Sequence, residues 1–138
     1  MSIKTIMVQY IFTTPQEIEY GLMNRSHPIT FSTSALFIFP EEKENITMWM
    51  KNTYDSLDII FINSEKKVLC IHKNTIPHDL TPLSCSGEIK YVIEALTGYV
   101  NDRSYPSAYL TNCATNALSF AGPESFCMAQ RPKSAIPI

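Results

Sequence analysis

Apolar residues recur in short runs separated by turn-forming residues, and this pattern predicts a mainly β protein. Strands are expected over residues 3–12, 34–39, 46–50, 57–62, 67–72 and 91–96. Because residues 63–66 have turn character, the strands on either side of them should form a hairpin. The core is predicted to contain Phe37, Phe39, Ile60, Ile62, Val92 and Leu96.

One short segment has helical features instead. Thr14 is a good N-cap, Pro15 suits the first helical position, and Glu17 stands three residues after the cap, which completes a capping box. Ile18 and Leu22 are four residues apart and would share a buried face. A helix near residues 15–23 follows, and the expected fold is a β-sandwich or jelly-roll-like barrel with this one helix.

The composition changes near residue 98. Residues 1–98 contain eight Lys or Arg and eleven Asp or Glu, whereas residues 99–138 contain only five charged side chains and four prolines. We therefore expect one domain over residues 1–98 and an atypical segment over 99–138, either irregular or disordered. Residues 104–138 should form no regular part of the sheet, although a genuine segment that covers a sheet edge is the open alternative.

Charge and hydropathy exclude several classes of function. The 138 residues have a net charge of −2, and no basic stripe is present, which argues against a nucleic-acid partner. The longest apolar runs are far too short to span a bilayer. The first residues have a strand pattern and no cleavage site, so the chain as written is expected to be cytoplasmic.

The four cysteines, at positions 70, 85, 113 and 127, contain no CxxC pair. Cys70, His72, His78 and Cys85 could in principle hold a metal, but their spacing is irregular for structural zinc. The favoured interpretation is that Cys70 is a small buried residue and that the histidines are solvated. We expect neither a metal nor a cofactor.

Residues 48–62 contain the strongest candidate site. Trp49, Lys51, Asn52 and Asp58 lie beside an almost wholly apolar strand, and buried polar groups need partners or a function. Each also has a structural explanation: Asn52 and Asp58 suit turns, and the Lys51 stem could lie on the indole of Trp49. Arg25 is the fifth candidate, although it could instead bind helix carbonyls.

Several segments in order resemble the domain-of-unknown-function 192 family over about residues 6–98. They are Glu17 to Arg25 with its Gly-Leu-Met-x-Arg piece, Ala35 to Phe39, Trp49-Met50-Lys51-Asn52-Thr53, Leu57 to Ile62, Asn74 to Pro77 and Tyr91 to Gly98. The resemblance implies a compact jelly-roll sandwich and brings no established activity, substrate or cofactor. Its members often carry an export signal, so export is the alternative to a cytoplasmic location.

Two classes of function remain open. The first is a non-enzymatic binding or accessory module in which Arg25 and Lys51 help to hold a small polar or anionic ligand, or a protein partner. The second is a small hydrolase or lyase in which Lys51 and Asp58 transfer protons beside a cleft. No nucleophile with a neighbouring His and no phosphate-binding Gly loop occurs in the sequence, which favours the binding module.

Overall fold

The computed structural model describes residues 3–31, 33–98, 109–112, 117–121 and 125–130, with side chains over 8–31 and 33–98. In chain order the elements are β1 (Ile3–Phe12), α1 (Pro15–Tyr20), β2 (Thr33–Glu44), β3 (Thr47–Met48), β4 (Leu57–Ile62), β5 (Val68–His72), β6 (Leu83–Ser84), β7 (Glu88–Leu96), β8 (Tyr109–Asn112), β9 (Ala117–Ala121) and β10 (Ser125–Gln130). The predicted mainly β class with one short helix is confirmed.

Eight strands form one sheet in the order β5-β4-β7-β2-β1-β10-β9-β8, and β3 pairs with β6 in a separate ribbon. Strand β1 is parallel to both of its neighbours, and the other pairs are antiparallel. The predicted hairpin is confirmed as β4–β5. Strand β1 connects to its parallel neighbour β2 through α1, which places the helix over one face of the sheet beside the β3–β6 ribbon.

The described part of the sheet buries apolar side chains on both faces. One cluster contains Val8, Leu36, Ile60, Ile62 and Ile93, among others. The second contains residues on the opposite face, including Phe12, Phe37, Phe39, Ile59, Phe61 and Val92. Of the six predicted core residues, five are buried and Leu96 is partly buried against the second cluster. All six residues of β4 are buried, which explains its unbroken apolar run.

The helix begins as predicted and ends early. The Thr14 hydroxyl accepts a hydrogen bond from the Glu17 N–H at 3.1 Å, and the Glu17 carboxylate accepts from the Thr14 N–H at 3.1 Å, so the capping box is complete. The helix stops at Tyr20 because Gly21 has a φ of +50°, a left-handed value that favours glycine. Residues 21–23, predicted as helix, therefore form a turn.

Two predictions about the strands need correction. The strand predicted over residues 34–39 does not end at Phe39 but continues as β2 to Glu44, after an irregularity in its pairing with β7 between Ile38 and Lys43. Strands β8, β9 and β10 extend the sheet from the β1 edge, so the expectation of no regular structure is wrong for these three stretches. The rest of residues 99–138 lies outside the described residues, and the division into two units stays a prediction.

The cysteine interpretation was also wrong in part. Cys70 on β5 and Cys85 just after β6 form a disulfide, with 5.9 Å between their Cα atoms. Neither is then a free thiol or a thiolate ligand, so the four-residue metal set that includes them is excluded. Within the described residues, no three His, Cys, Asp or Glu side chains are placed to hold a metal ion. No helix in the described part of the chain has the length and apolar character to cross a bilayer.

Candidate functional site

A cavity of about 290 Å³ lies between α1, the sheet and the segment around β3. Its lining consists of Ile18, Glu19, Tyr20, Gly21, Leu22, Met23, Phe37, Phe39, Ile46, Thr47, Met48, Trp49, Thr53 and Glu94. We call it the Glu94 cavity after its most deeply buried ionisable residue. A neighbouring depression of about 400 Å³ shares Ile18, Glu19 and Phe39 with it but contains no buried polar side chain. The Glu94 cavity is therefore the better candidate site.

The sheet register puts Glu94 on the apolar face that the cavity uses. Glu94 of β7 is paired with Ala35 of β2 on one side and with Ile59 of β4 on the other. Paired residues point to the same face, and so do residues two apart on one strand, such as Ala35 and Phe37. Glu94, Phe37 and Phe39 accordingly line the same cavity.

The surroundings of Glu94 favour its neutral form. The residue is only 4% exposed. Burial raises the pKa of its carboxyl to about 8, and no hydrogen bond or charge within the described residues opposes that shift. The carboxyl is therefore largely protonated near pH 7. A polar group that lacks a protein partner and lines a cavity has an unused capacity for hydrogen bonding.

The remaining walls come from chain segments held by local geometry. Gly21 lets the chain leave α1 and pass close to the sheet, where a Cβ atom at this position would lie 3.1 Å from the Phe37 ring. Thr53 is fixed by a hydrogen bond from its hydroxyl to the Lys51 carbonyl, at 3.1 Å. Trp49 is 44% exposed and closes one side of the cavity. These segments form an apolar wall around a single buried acid.

The structure places the five predicted site residues in four different surroundings. Trp49 lines the cavity, and the Lys51 ammonium lies 5.1 Å from the centre of its indole ring. Arg25 stacks on Tyr10, with 4.5 Å between the guanidinium carbon and the ring centre, and does not line the cavity. Asn52 has a φ of +51° in the turn, and its carbonyl accepts a hydrogen bond from the Asn24 N–H.

Asp58 has a structural role that the sequence did not settle. It is 1% exposed, and its two carboxylate oxygens accept hydrogen bonds from the Asn74 N–H at 3.0 Å and the Gly98 N–H at 3.1 Å. These bonds fasten two chain segments to the start of β4. Lys51, by contrast, lies on an exposed turn, so the two groups proposed for proton transfer have separate surroundings.

Glu17 also has a structural role. Its carboxylate accepts hydrogen bonds from the backbone N–H groups of Thr13 and Thr14, and these bonds, that of Thr13 first, lower its pKa. Glu94 is the residue that the sequence interpretation missed. The available signal was its position two residues from both Val92 and Leu96 on one strand, which gives an acid the same face as two predicted core residues.

A family model matches most of the chain. The model of the family DUF192, described as "Uncharacterized ACR", matches residues 2–105. The chain belongs to the DUF192 family. Both ends of the cavity wall, the Gly21 turn and β7 with Glu94, lie within the matched region. No curated protein matches this DUF192 chain.

Two solved structures are similar to this DUF192 protein. One is a protein of unknown function from Novosphingobium aromaticivorans, with 31% identity and a TM-score of 0.65, covering 70% of this chain and 68% of the other. The second, from Sinorhizobium meliloti, is named as a proposed transcription regulator; it has 33% identity and a TM-score of 0.66, covering 70% and 74% of the two chains.

Proposed function

We propose that this DUF192 protein is a non-enzymatic binding module whose Glu94 cavity holds a small ligand with an apolar body and one polar group. The observation that carries the proposal is Glu94, a residue that is 4% exposed and lines the cavity, and whose carboxyl has no hydrogen-bond partner among the described residues. Burial of a polar group without a hydrogen bond is unfavourable, and a ligand group that bonds to it would offset that cost.

The cavity has the general character of a small-molecule site. Its volume of about 290 Å³ is at the lower end of the range for ligand pockets, roughly 300–1,000 Å³. Its walls are mainly aliphatic and aromatic, and few polar groups converge on it, as is usual where orientation depends on one or two hydrogen bonds. The two acids in the lining and the lack of Lys or Arg there favour a polar ligand over an anionic one.

The surroundings of Lys51 and Asp58 support binding over catalysis. Both Asp58 oxygens already accept backbone hydrogen bonds, and the residue is buried, so it is poorly placed to accept a proton from a substrate. Lys51 is exposed and does not line the cavity, but its ammonium lies 5.1 Å from the ring centre of Trp49, which does, so Lys51 is placed to act beside the cavity. Arg25 and Asn52 as ligand residues stay predictions.

A matched pair of variants tests whether the cavity is the site. Thr47 and Ser84 are exposed partners in the β3–β6 ribbon, and their hydroxyls are hydrogen-bonded to each other at 3.1 Å. Only Thr47 lines the cavity, so Thr47→Phe should obstruct it, whereas Ser84→Phe loses the same hydrogen bond and leaves it open.

The assay is a fragment screen by ligand-observed NMR, followed by fluorescence titration of Trp49, the only tryptophan in the chain. We expect fragments that bind the wild-type protein and Ser84→Phe but lose affinity for Thr47→Phe. A screen without such fragments, or hits equally affected by both substitutions, contradicts the proposal. Turnover of an ester or amide that Lys51→Ala or Asp58→Asn abolishes would support the hydrolase instead.

We also propose that the protein works in an oxidising compartment, as the exported alternative implies. The Cys70–Cys85 disulfide supports this location, because such bonds persist mainly outside the reducing cytoplasm. The test is to block free thiols at cell lysis and to identify the linked peptide by mass spectrometry. Quantitative alkylation of Cys70 and Cys85 would show that the bond is absent in the cell and would favour the cytoplasm.

A further inference from the structure

The Glu94 cavity is lined by two acids and by no base. Glu94 lies inside and Glu19 of α1 stands at the edge, while the lining contains no Lys, Arg or His. Described cations contact wall residues without lining the cavity themselves: the Lys51 ammonium lies 5.1 Å from the Trp49 ring centre, and the Lys90 ammonium donates hydrogen bonds to the Phe39 carbonyl at 2.7 Å and to the Pro40 carbonyl at 3.0 Å. Because the Lys90 ammonium already donates to two backbone carbonyls, an anionic ligand would meet two acids and no cation in the lining. A cationic ligand would be attracted to Glu19 and would favour the carboxylate form of Glu94.

Aromatic rings make up a large part of the wall. Tyr20, Phe37, Phe39 and Trp49 all line the cavity. The face of an aromatic ring carries negative charge density and attracts cations, most strongly for indole, within about 6 Å of the ring centre. The Lys51 ammonium already lies 5.1 Å from the centre of the Trp49 ring, which shows that this indole accepts a cation.

Glu94 adds directional hydrogen bonding to this general attraction. Its carboxyl has no partner among the described residues, and once ionised it offers only acceptor atoms. A primary or secondary ammonium group can donate N–H bonds to those oxygens, but a quaternary ammonium cannot. The combination of a buried acceptor and aromatic walls therefore favours primary and secondary ammonium ions over quaternary ones.

From this geometry we propose that the ligand of the Glu94 cavity is a small primary or secondary amine with an apolar body, bound as its ammonium form. The apolar part packs on Phe37, Phe39 and Trp49, and the N–H groups donate to Glu94. Because the free carboxyl is largely protonated near pH 7, binding transfers one proton from Glu94 to solvent and leaves an ammonium–carboxylate pair. This inference rests on the proposed binding function and specifies its ligand class.

Matched compounds separate the failure of this inference from the failure of the proposed function. Three carbon skeletons, 2-phenylethyl, cyclohexylmethyl and 3-methylbutyl, are each tested as the amine, the alcohol and the homologous carboxylate at pH 8. Binding is measured by NMR and by Trp49 fluorescence in the wild-type, Thr47→Phe and Ser84→Phe proteins.

We expect the amine of at least one skeleton to bind about tenfold or more tightly than its alcohol, with the carboxylate weakest, since one hydrogen bond to a charged group suffices for that ratio. If alcohols or carboxylates bind in the cavity as tightly as the amines, the amine inference fails and the binding function stands. If no compound binds in a manner sensitive to Thr47→Phe, both fail.

Substitutions of Glu94 and Lys51 give opposite expectations for the competing ligand classes. Glu94→Gln should weaken amine binding about tenfold or more while changing alcohol binding little. Glu88→Gln, on an exposed position of the same strand, is the matched control and should change neither. Lys51→Ala removes a like charge near the mouth, so amine affinity should rise or stay constant; a clear loss would instead support the anionic ligand.

Discussion

Replacing Glu94 with Gln should change how the stability of the protein depends on pH. The folded-state pKa of Glu94 is about 8, against 4.5 for an unburied carboxyl, so between these values the folded state keeps a proton that the unfolded state has lost. Stability conferred by such a group is fully present below pH 4.5 and is lost as the pH rises through 8. The slope is about 1.4 kcal/mol per pH unit, which sums to roughly 5 kcal/mol over the interval.

This amount is large relative to the usual stability of a domain, about 5–15 kcal/mol. Gln is nearly isosteric with a protonated Glu and cannot ionise, so at pH 5 the two proteins should differ by only about 1 kcal/mol. By pH 8 the wild-type protein should have lost most of that stability, while Glu94→Gln keeps it. The variant is therefore expected to be the more stable protein in mildly alkaline solution.

The measurement is urea unfolding followed by circular dichroism at half-unit intervals from pH 5 to 9, without reductant, so that the disulfide stays intact. All other ionisable groups are common to both proteins, so their contributions cancel in the difference. Glu88→Gln serves as the control and should follow the wild-type curve. Parallel curves for the wild-type protein and Glu94→Gln would refute the argument that burial holds this carboxyl neutral.

Three further substitutions test the structural framework. Asp58→Ala leaves two backbone N–H groups without their acceptor and should lower the free energy of unfolding by about 2–4 kcal/mol, measured by chemical denaturation, and a loss below 0.5 kcal/mol would contradict its fastening role. Gly21→Ala places a Cβ 3.1 Å from the Phe37 ring at a φ of +50° and should cost about 1–2 kcal/mol in the same assay; an unchanged midpoint would show that the turn relaxes freely. Cys70→Ala combined with Cys85→Ala opens a loop of sequence separation 15 and should lower stability by about 3 kcal/mol, and this difference should disappear when the wild-type protein is measured under reducing conditions.

The sequence predicted most of the described strands because their signal is local. Alternation, turn residues and the capping box around Thr14 act within a few neighbouring positions. Each predicted strand through residue 96 has a counterpart, either in the sheet or, for the two-residue β3, in the β3–β6 ribbon. The early end of α1 was less predictable, since the left-handed conformation of Gly21 allows the chain to pass close to Phe37, a contact across the fold.

Features that depend on distant parts of the chain were not predictable in this way. Cys70 and Cys85 meet because β5 and the segment after β6 come together in space, and their spacing alone gave no sign of it. The strands at 109–112, 117–121 and 125–130 carry little alternation, and they are recognised by their pairing with each other and with β1.

The two buried acids of the central sheet explain why the structure indicates a different candidate residue from the one that the sequence predicted. Asp58 and Glu94 lie on the adjacent strands β4 and β7, where Asp58 is paired with Ala95 and Glu94 with Ile59. Their side chains therefore point to opposite faces of the sheet. In the sequence each is an acid within an apolar run, and the Lys-Asn-Thr motif nearby directed attention to Asp58.

The environment of each acid decides its role. Asp58 accepts two backbone hydrogen bonds, which account for its burial by fold stability alone. Glu94 is equally sheltered from solvent, yet the described residues give it no partner, and it faces an apolar cavity instead. Burial raises the pKa of the Glu94 carboxyl, so this group opposes folding above pH 4.5. Fold stability therefore does not explain an acid at this position. Recognition of a ligand would explain it, and for that reason we propose that Glu94, and not Asp58, has the functional role.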